Sequence, residues 1–294
     1  MTRWMRLGWR LLGAHVWIFF LFLYAPIIML IVYSFNSNTV SMMTWSGFTF
    51  DWYLRIFANL GIIGHDRAFV GAENLQLYSD PALGRSVRNS LIVGFSAASL
   101  ATVIGTLTAI GLDRFRFLGR TAYRGFLLVP IVIPDIVLGL ALLIFLSSIA
   151  FPLGRISVIL AHTIFLSSYV TIVVGSRLAG MDRTLEEASA DLGARPLTTF
   201  RRVTLPQLAP ALVGGFLLSL VISFDDLVIA FFTSGVGSTT LPIFLFSAIK
   251  RNVSPEINAV ACLMIVVSML IVALALIIRR PGVTGFSTTT RKGN

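Results

Sequence analysis

Lysine is nearly missing from this chain: only Lys250 and Lys292 accompany the arginines, and neither follows a Gly-x-x-x-x-Gly pattern. Without a P-loop the chain cannot hold ATP in that way. Cysteine is scarcer still. Cys262 is the single one and sits in the last apolar run, so no intrachain disulfide framework can exist. There is no Cys/His metal cluster, no Gly-x-Ser-x-Gly elbow and no soluble catalytic domain. These absences argue against an enzyme. Charge is sparse as well, at 12% of residues.

What fills the chain is apolar. Hydrophobic residues make up 56% and mean hydropathy is +0.88, more than a water-solvated core requires, so lipid is the solvent for most of the chain. Runs near or beyond the roughly 20 residues that cross a bilayer occur at about 11–33, 90–112, 125–149, 156–176, 208–232 and 257–278. The expected fold is an all-α integral membrane protein with six transmembrane helices, a single domain over residues 1–294. The basic start and first apolar run are like a signal peptide. However, Leu11 to Tyr33 is longer than a usual signal core, and Ser34 to Asn38 offers no small-x-small cleavage site. It is read as a retained span.

A net charge of +10 would suggest nucleic acid in a soluble protein, but here it sorts by topology. Arg3, Arg6 and Arg10 precede the first span, and Arg114, Arg116, Arg120 and Arg124 lie between the second and third. Arg177, Arg183, Arg195, Arg201 and Arg202 surround the stretch after the fourth, and Arg279, Arg280, Arg291 and Lys292 follow the last. With an even number of spans these groups share one side, which the positive-inside rule makes cytoplasmic, together with both termini. No nucleic-acid partner is needed to explain the charge.

The polar stretch 182–206 interrupts two long apolar runs. Thr184 with Glu187 reads as a capping box for a short helix from about Leu185, closed by Gly193 in a left-handed turn. Pro196 opens a second short helix carrying Leu197, Phe200 and Val203, and Pro206 marks the next break. Glu187, Ala188, Ser189, Gly193, Val203, Leu205 and Pro206 stand at the spacing of Glu-Ala-Ala, three residues, Gly, nine residues, Ile, one residue, Leu-Pro. Ser replaces the second Ala, and Val the Ile. In these residues the chain resembles the cytoplasmic loop of permease subunits of binding-protein-dependent ATP-binding-cassette importers. The resemblance implies a type I importer permease with a coupling helix that docks on an ATPase subunit. It further implies a second permease as heterodimer partner, two ATPase copies and an extracytoplasmic substrate-binding protein, in a bacterial inner membrane. ATP and Mg are then used by the partner ATPase, and this chain itself holds no cofactor. A stand-alone secondary transporter is the reading from another class.

Few polar residues lie within the spans. Span three carries Pro130, Pro134 and Asp135, and the prolines free the carbonyls of Phe126 and Pro130. An aspartate at mid-span costs about 2.5–3.5 kcal/mol on insertion scales. Asp135 is therefore either a cap or ion-pair partner at a broken helix, or part of a cation path. Span five ends in Asp225 and Asp226, about 17 residues or roughly 25 Å above its cytoplasmic start, which puts the pair near the outer mouth. Adjacent carboxylates stay ionised only with water or a cation to compensate, and helix-end pairing is the competing reading. His15 is read as interfacial, and His162, Ser167, Ser168 and Thr171 as packing. Segment 34–88 is a long external loop, either an amphipathic hairpin on the bilayer or a platform for a delivering protein, with 61–74 as an insertion. Leu241 to Ile249 is too short to span and reads as re-entrant or interfacial.

Pro134-Asp135-Ile136-Val137-Leu138-Gly139, Ser223-Phe224-Asp225-Asp226-Leu227-Val228, Thr240-Leu241-Pro242 and Ser254-Pro255-Glu256-Ile257-Asn258-Ala259 are similar to segments of spermidine/putrescine permeases. That resemblance implies polyamine cargo, with ferric iron or an amino-acid derivative as the alternatives carried by related permeases. The physical reading agrees in sign. A polycation in a low-dielectric path needs acidic or carbonyl partners, and Asp135, Asp225 and Asp226 are the available acids.

Overall fold

A computed structural model describes residues 3–38, 44–62, 81–251 and 255–278. Most of the insertion read at 61–74, Ser254 and the C-terminal tail lie outside the described residues. Among those residues the structure is helical and has no strand; an isolated bridge joins Asn36 and Phe48. Five helices are long and apolar enough to span a bilayer, or six when one bent pair counts as a single span. The described residues fall into two compact units, one of residues 1–88 and 239–267 and one of 89–238 and 268–294.

The first unit holds α1 (Arg3–Tyr33), α2 (Asp51–Asn59), the first turns of α3 (Pro81–Arg114), α11 (Leu241–Arg251) and most of α12 (Pro255–Ile278). Within the segment expected as a long external loop, the described residues 34–38 and 44–53 form a polar and aromatic knot. Trp52 Nε1 donates to the carbonyl of Asn36 at 2.8 Å, and the Asn36 side chain accepts from the amides of Asn38 and Ser46, each at 3.1 Å. Phe35 stacks on Phe48 with ring centres 5.0 Å apart. Beneath them Trp52, Ile56, Leu83, Leu241 and Leu245 form a core with Ala259 and Val260. The α3 helix starts at Pro81 rather than near residue 90, because proline is at ease in a first helical turn.

The second unit is built around α6 (Arg155–Ala179), the most buried of the spanning helices. Its core joins Ala97, Ala101 and Ala109 of α3, Phe165, Leu166, Val170 and Val174 of α6, and Leu208. The small residues of α3 serve a close crossing: a Cβ on Gly105 would lie 2.7 Å from Val170 Cβ and 2.8 Å from the Ser167 carbonyl. Thr171 adds a bond across that crossing, its hydroxyl donating to the Gly105 carbonyl at 3.2 Å.

Two expected spans are broken. Span three consists of α4 (Arg120–Val132) and α5 (Asp135–Ser148), bent by 108°. Pro134 forces Ile133 into an extended conformation, with φ −69° and ψ 135°, and has no N–H to give to the Pro130 carbonyl. Span five, expected as 208–232, ends as α9 (Leu205–Asp225) and restarts as α10 (Val228–Thr233). At the start of α9 the expected break at Pro206 is absent. After α7 (Thr184–Asp191), the chain runs from α8 (Pro196–Thr199) through a π turn, Phe200–Thr204, straight into α9. The wider turn gives the Pro206 ring space where an α-turn would set it against the carbonyl four residues earlier.

Because Gly105 is wedged against α6, the change Gly105→Leu is expected to lower stability by about 1–3 kcal/mol through overpacking. Thermal unfolding of the purified protein in detergent reads this as a lower midpoint, while Gly111→Leu, at an open position, leaves it unchanged.

Candidate functional site

The structure separates the candidate residues into two places, the loop between α6 and α9 and a pair of helix breaks within the second unit. In the loop, α7 starts at Thr184, but the capping box expected from Thr184 and Glu187 does not form. Asp182 takes that role instead, its Oδ1 accepting the Thr184 amide at 2.9 Å, and this bond holds the Asp182 carboxyl below its ordinary range. Gly193 closes the helix with φ +77°, a left-handed conformation that suits glycine.

Glu187 and Ala188 are exposed, as are Leu205 and Pro206 at the root of α9, while Ser189 and Val203 are half-buried. The Ser189 hydroxyl lies 2.9 Å from that of Thr199 and joins the two arms of the loop. Leu185, Leu192 and Leu197 are 54%, 89% and 68% exposed, an apolar set that the chain does not cover itself.

Glu186, next to the sequence motif but outside it, points inward. Its Oε1 accepts from Arg114 Nη2 of α3 at 2.6 Å and from the hydroxyl of Thr204 in the π turn at 2.6 Å. Alongside, Arg183 Nη2 reaches Asp113 Oδ2 at 3.0 Å. Burial works to raise the Glu186 carboxyl, but the Thr204 and Arg114 hydrogen bonds and the charges of Arg114 and Arg183 outweigh it and hold it below the ordinary value. The motif register singles out Glu187, but nothing in the sequence says which of the two neighbours faces α3, since folding decides that.

The second place is where α6 meets both pieces of span five. His162, 1% exposed, puts Nδ1 2.8 Å from Ser223 Oγ at the end of α9. Its Nε2 lies 3.1 Å from Asp226 Oδ2, a close contact off the line of a hydrogen bond. Asp226 caps α10 by accepting the amides of Ile229 at 3.3 Å and Ala230 at 2.8 Å. At the other end of α10, Ser157 Oγ donates to the Thr233 carbonyl at 2.7 Å. The short helix is thus tied to α6 at both ends. On its far side α5 approaches so closely that a Cβ on Gly139 would lie 2.9 Å from the Phe232 ring.

The adjacent acids therefore separate. Asp226 turns inward, with 8% of its side chain exposed, whereas Asp225 is exposed. Asp135 is exposed at the first position of α5, where the helix dipole favours a negative charge. Neither Asp135 nor Asp225 makes an ion pair among the described residues. His162, read from sequence as packing, also bonds the Ser223 hydroxyl and lies against the cap; a histidine amid apolar residues carries no periodic signal of such partners.

The family profile described as "Binding-protein-dependent transport system inner membrane component" matches residues 101–280. The chain belongs to this family. It is accordingly a transport permease of the ATP-binding-cassette importer class and not an enzyme. It is 39% identical over 268 residues to the spermidine/putrescine transport system permease protein PotC of Haemophilus influenzae, covering 91% of this chain and 96% of that protein. The putrescine transport system permease protein PotI of Escherichia coli K12 is 40% identical over 253 residues, 84% of this chain and 82% of its own length. Among solved structures, a bacterial transporter for import of the acidic polysaccharide alginate superposes with TM-score 0.69 at 15% identity, covering 94% of this chain and 98% of that one. The methionine transporter MetNI, in an inward-facing conformation, gives TM-score 0.54 at 20% identity over 70% and 97% of the two chains. These two similarities show the shared fold.

The change His162→Ala leaves the Ser223 hydroxyl unpartnered in the interior, a cost of about 1–3 kcal/mol. A lowered thermal midpoint is expected, with His15→Ala at an exposed position as the unchanged control. For Glu186, a carboxyl depressed in the folded state contributes fully above the ordinary 4.5, and that contribution is lost as pH falls through the lower folded value. Amide exchange of α7, corrected for intrinsic rates, should therefore be flat from neutral pH to about 5 and rise only below it.

Proposed function

We propose that this permease carries polyamines, putrescine or spermidine, inward across a bacterial inner membrane at the expense of ATP hydrolysed by partner subunits. The observation that carries the cargo is the identity of 39–40% with proteins named for putrescine and spermidine transport, over 84–91% of this chain. The chemistry of the helix breaks supports it, since Asp135 and Asp225 present carboxylates that a polycation can follow in a low-dielectric setting. Weak successive sites suit transit better than one tight site.

The exposed Leu185, Leu192 and Leu197 with Glu187 are the surface on which an ATPase subunit docks. A complete importer then comprises this chain, a second permease as heterodimer partner, two ATPase copies and an external binding protein. The arginine-rich loops and both termini face the cytoplasm by the positive-inside rule. The mechanism is alternating access, in which ATP-driven closure of the ATPases shifts the coupling loop and reorients the bundle. Asp226, committed to the α10 cap and His162, lies behind Asp225 and sets the conformation from which Asp225 is presented.

The deciding experiment is uptake of labelled putrescine and spermidine into vesicles holding the complete complex and binding protein, with and without ATP. ATP-dependent uptake is expected. ATPase stimulation by a different ligand of the binding protein, with no polyamine uptake, would exclude the cargo and leave the permease. In the same vesicles Asp225→Asn and Asp135→Asn are expected to lower uptake roughly tenfold or less, about one charge interaction each, with subunit assembly intact; unchanged uptake removes them from the path.

A further inference from the structure

The eight residues of α7 include none that is buried, and a helix so short has little stability of its own. Leu185 within it and Leu192 at its C-cap are 54% and 89% exposed, so these leucines do not hold it by packing within this subunit. What holds it is polar. One oxygen of Glu186, on a side chain 13% exposed, receives both Arg114 at the end of α3 and the nearly buried Thr204 in the π turn that leads into α9. Two spanning helices and the coupling helix thus meet at a single carboxylate. The geometry points to Glu186 as a positioning residue that transmits displacement of α7 to α3 and α9, distinct in role from Glu187, which faces outward.

The inference rests on the reading of α7 as the ATPase-docking element. The neighbouring Arg183 to Asp113 pair also links α7's start to α3, but Arg183 is 57% exposed, and a solvated pair of that kind holds a geometry weakly. The Glu186 oxygen instead accepts a charged and a neutral donor in a partly desolvated place, where such bonds are stronger. The carboxyl is held ionised there by those partners, so the clasp persists across the physiological pH range.

The test uses the complete complex in proteoliposomes, with three readouts: polyamine transported per ATP hydrolysed, retention of the ATPase on purification, and a distance on this chain alone. For the distance, Cys262→Ser removes the single native thiol, and spin labels at Asp191→Cys and Phe115→Cys, both exposed, report the separation of α7 from the end of α3. Glu186→Ala is expected to broaden that distance and to lower transport per ATP by roughly 2- to 30-fold, the range for residues along a coupling network, while the ATPase is retained. Arg114→Ala should do the same, and the double variant should be no worse than either single one.

A transport ratio unchanged in Glu186→Ala overturns the assignment, as does a double variant whose losses multiply. Loss of the ATPase on purification also overturns it, since Glu186 would then be a docking contact. Should Glu186→Ala not insert, Glu186→Gln decides: it keeps the Thr204 bond and loses the charge, and a wild-type ratio refutes the proposal. If the wild-type complex itself shows no ATP-dependent uptake, the docking and cargo reading fails, which is a separate result from a distance that stays narrow in the variants.

Discussion

A chain in lipid has no water to take up the backbone groups that a helix leaves unpaired where it stops, so every interruption of a spanning helix has to be satisfied from within the protein. That constraint explains where this fold places its few polar side chains. At the break in span five the carboxylate of Asp226 accepts two amides of α10, and His162 and Ser157 reach across from α6 to the two ends of the same helix. The break in span three follows the other permitted solution, proline, which has no N–H to leave stranded. Both interruptions lie on elements that pack against one another, since α10 is held between α5 and α6 by the same close approach at Gly139 and the same polar ties.

The helices that carry these breaks are assembled without a hydrophobic drive, because lipid is as apolar as their side chains. Small residues on α3 let α6 come near enough for backbone and side chain to touch, and hydroxyls of α6 return most of their bonds to the helix itself. This leaves α6 as the fixed member of the second unit. The loop between α6 and α9 follows a different principle. Its α7 exposes leucines and is retained by charge, so it is anchored to its own chain through one side and open to a partner through the other.

The large divisions of the molecule were legible in the sequence because hydropathy over 20 or so residues is a strong signal, and the register of Glu187, Gly193 and Pro206 pointed to the family that the chain belongs to. Pro134 announced the interruption of span three, though not an angle of 108°, which depends on packing. The less visible features share one cause. Which of Glu186 and Glu187 turns inward, which of Asp225 and Asp226 is free, and whether His162 is mere filling all depend on a rotation about a helix axis fixed by distant contacts. Pro206 illustrates the same point from the other side: a residue that ordinarily ends a helix was absorbed by a π turn, a device without a local sequence signature.

That π turn has a consequence for how the loop and the membrane helix are phased. A turn holding one residue more than an α-turn rotates everything on one side of it by about 100° relative to the other, given 3.6 residues per turn. The buried stripe of α9, from Leu208 through Ala211 and Gly215 to Ser223, therefore keeps its heading toward α6 only in combination with that extra residue. Removing a single residue between Phe200 and Thr204 would leave the stripe and the loop individually intact while turning the loop about the helix axis like a misaligned crank. The spacing of nine residues between Gly193 and Val203 is in this sense a measure of angle as much as of length.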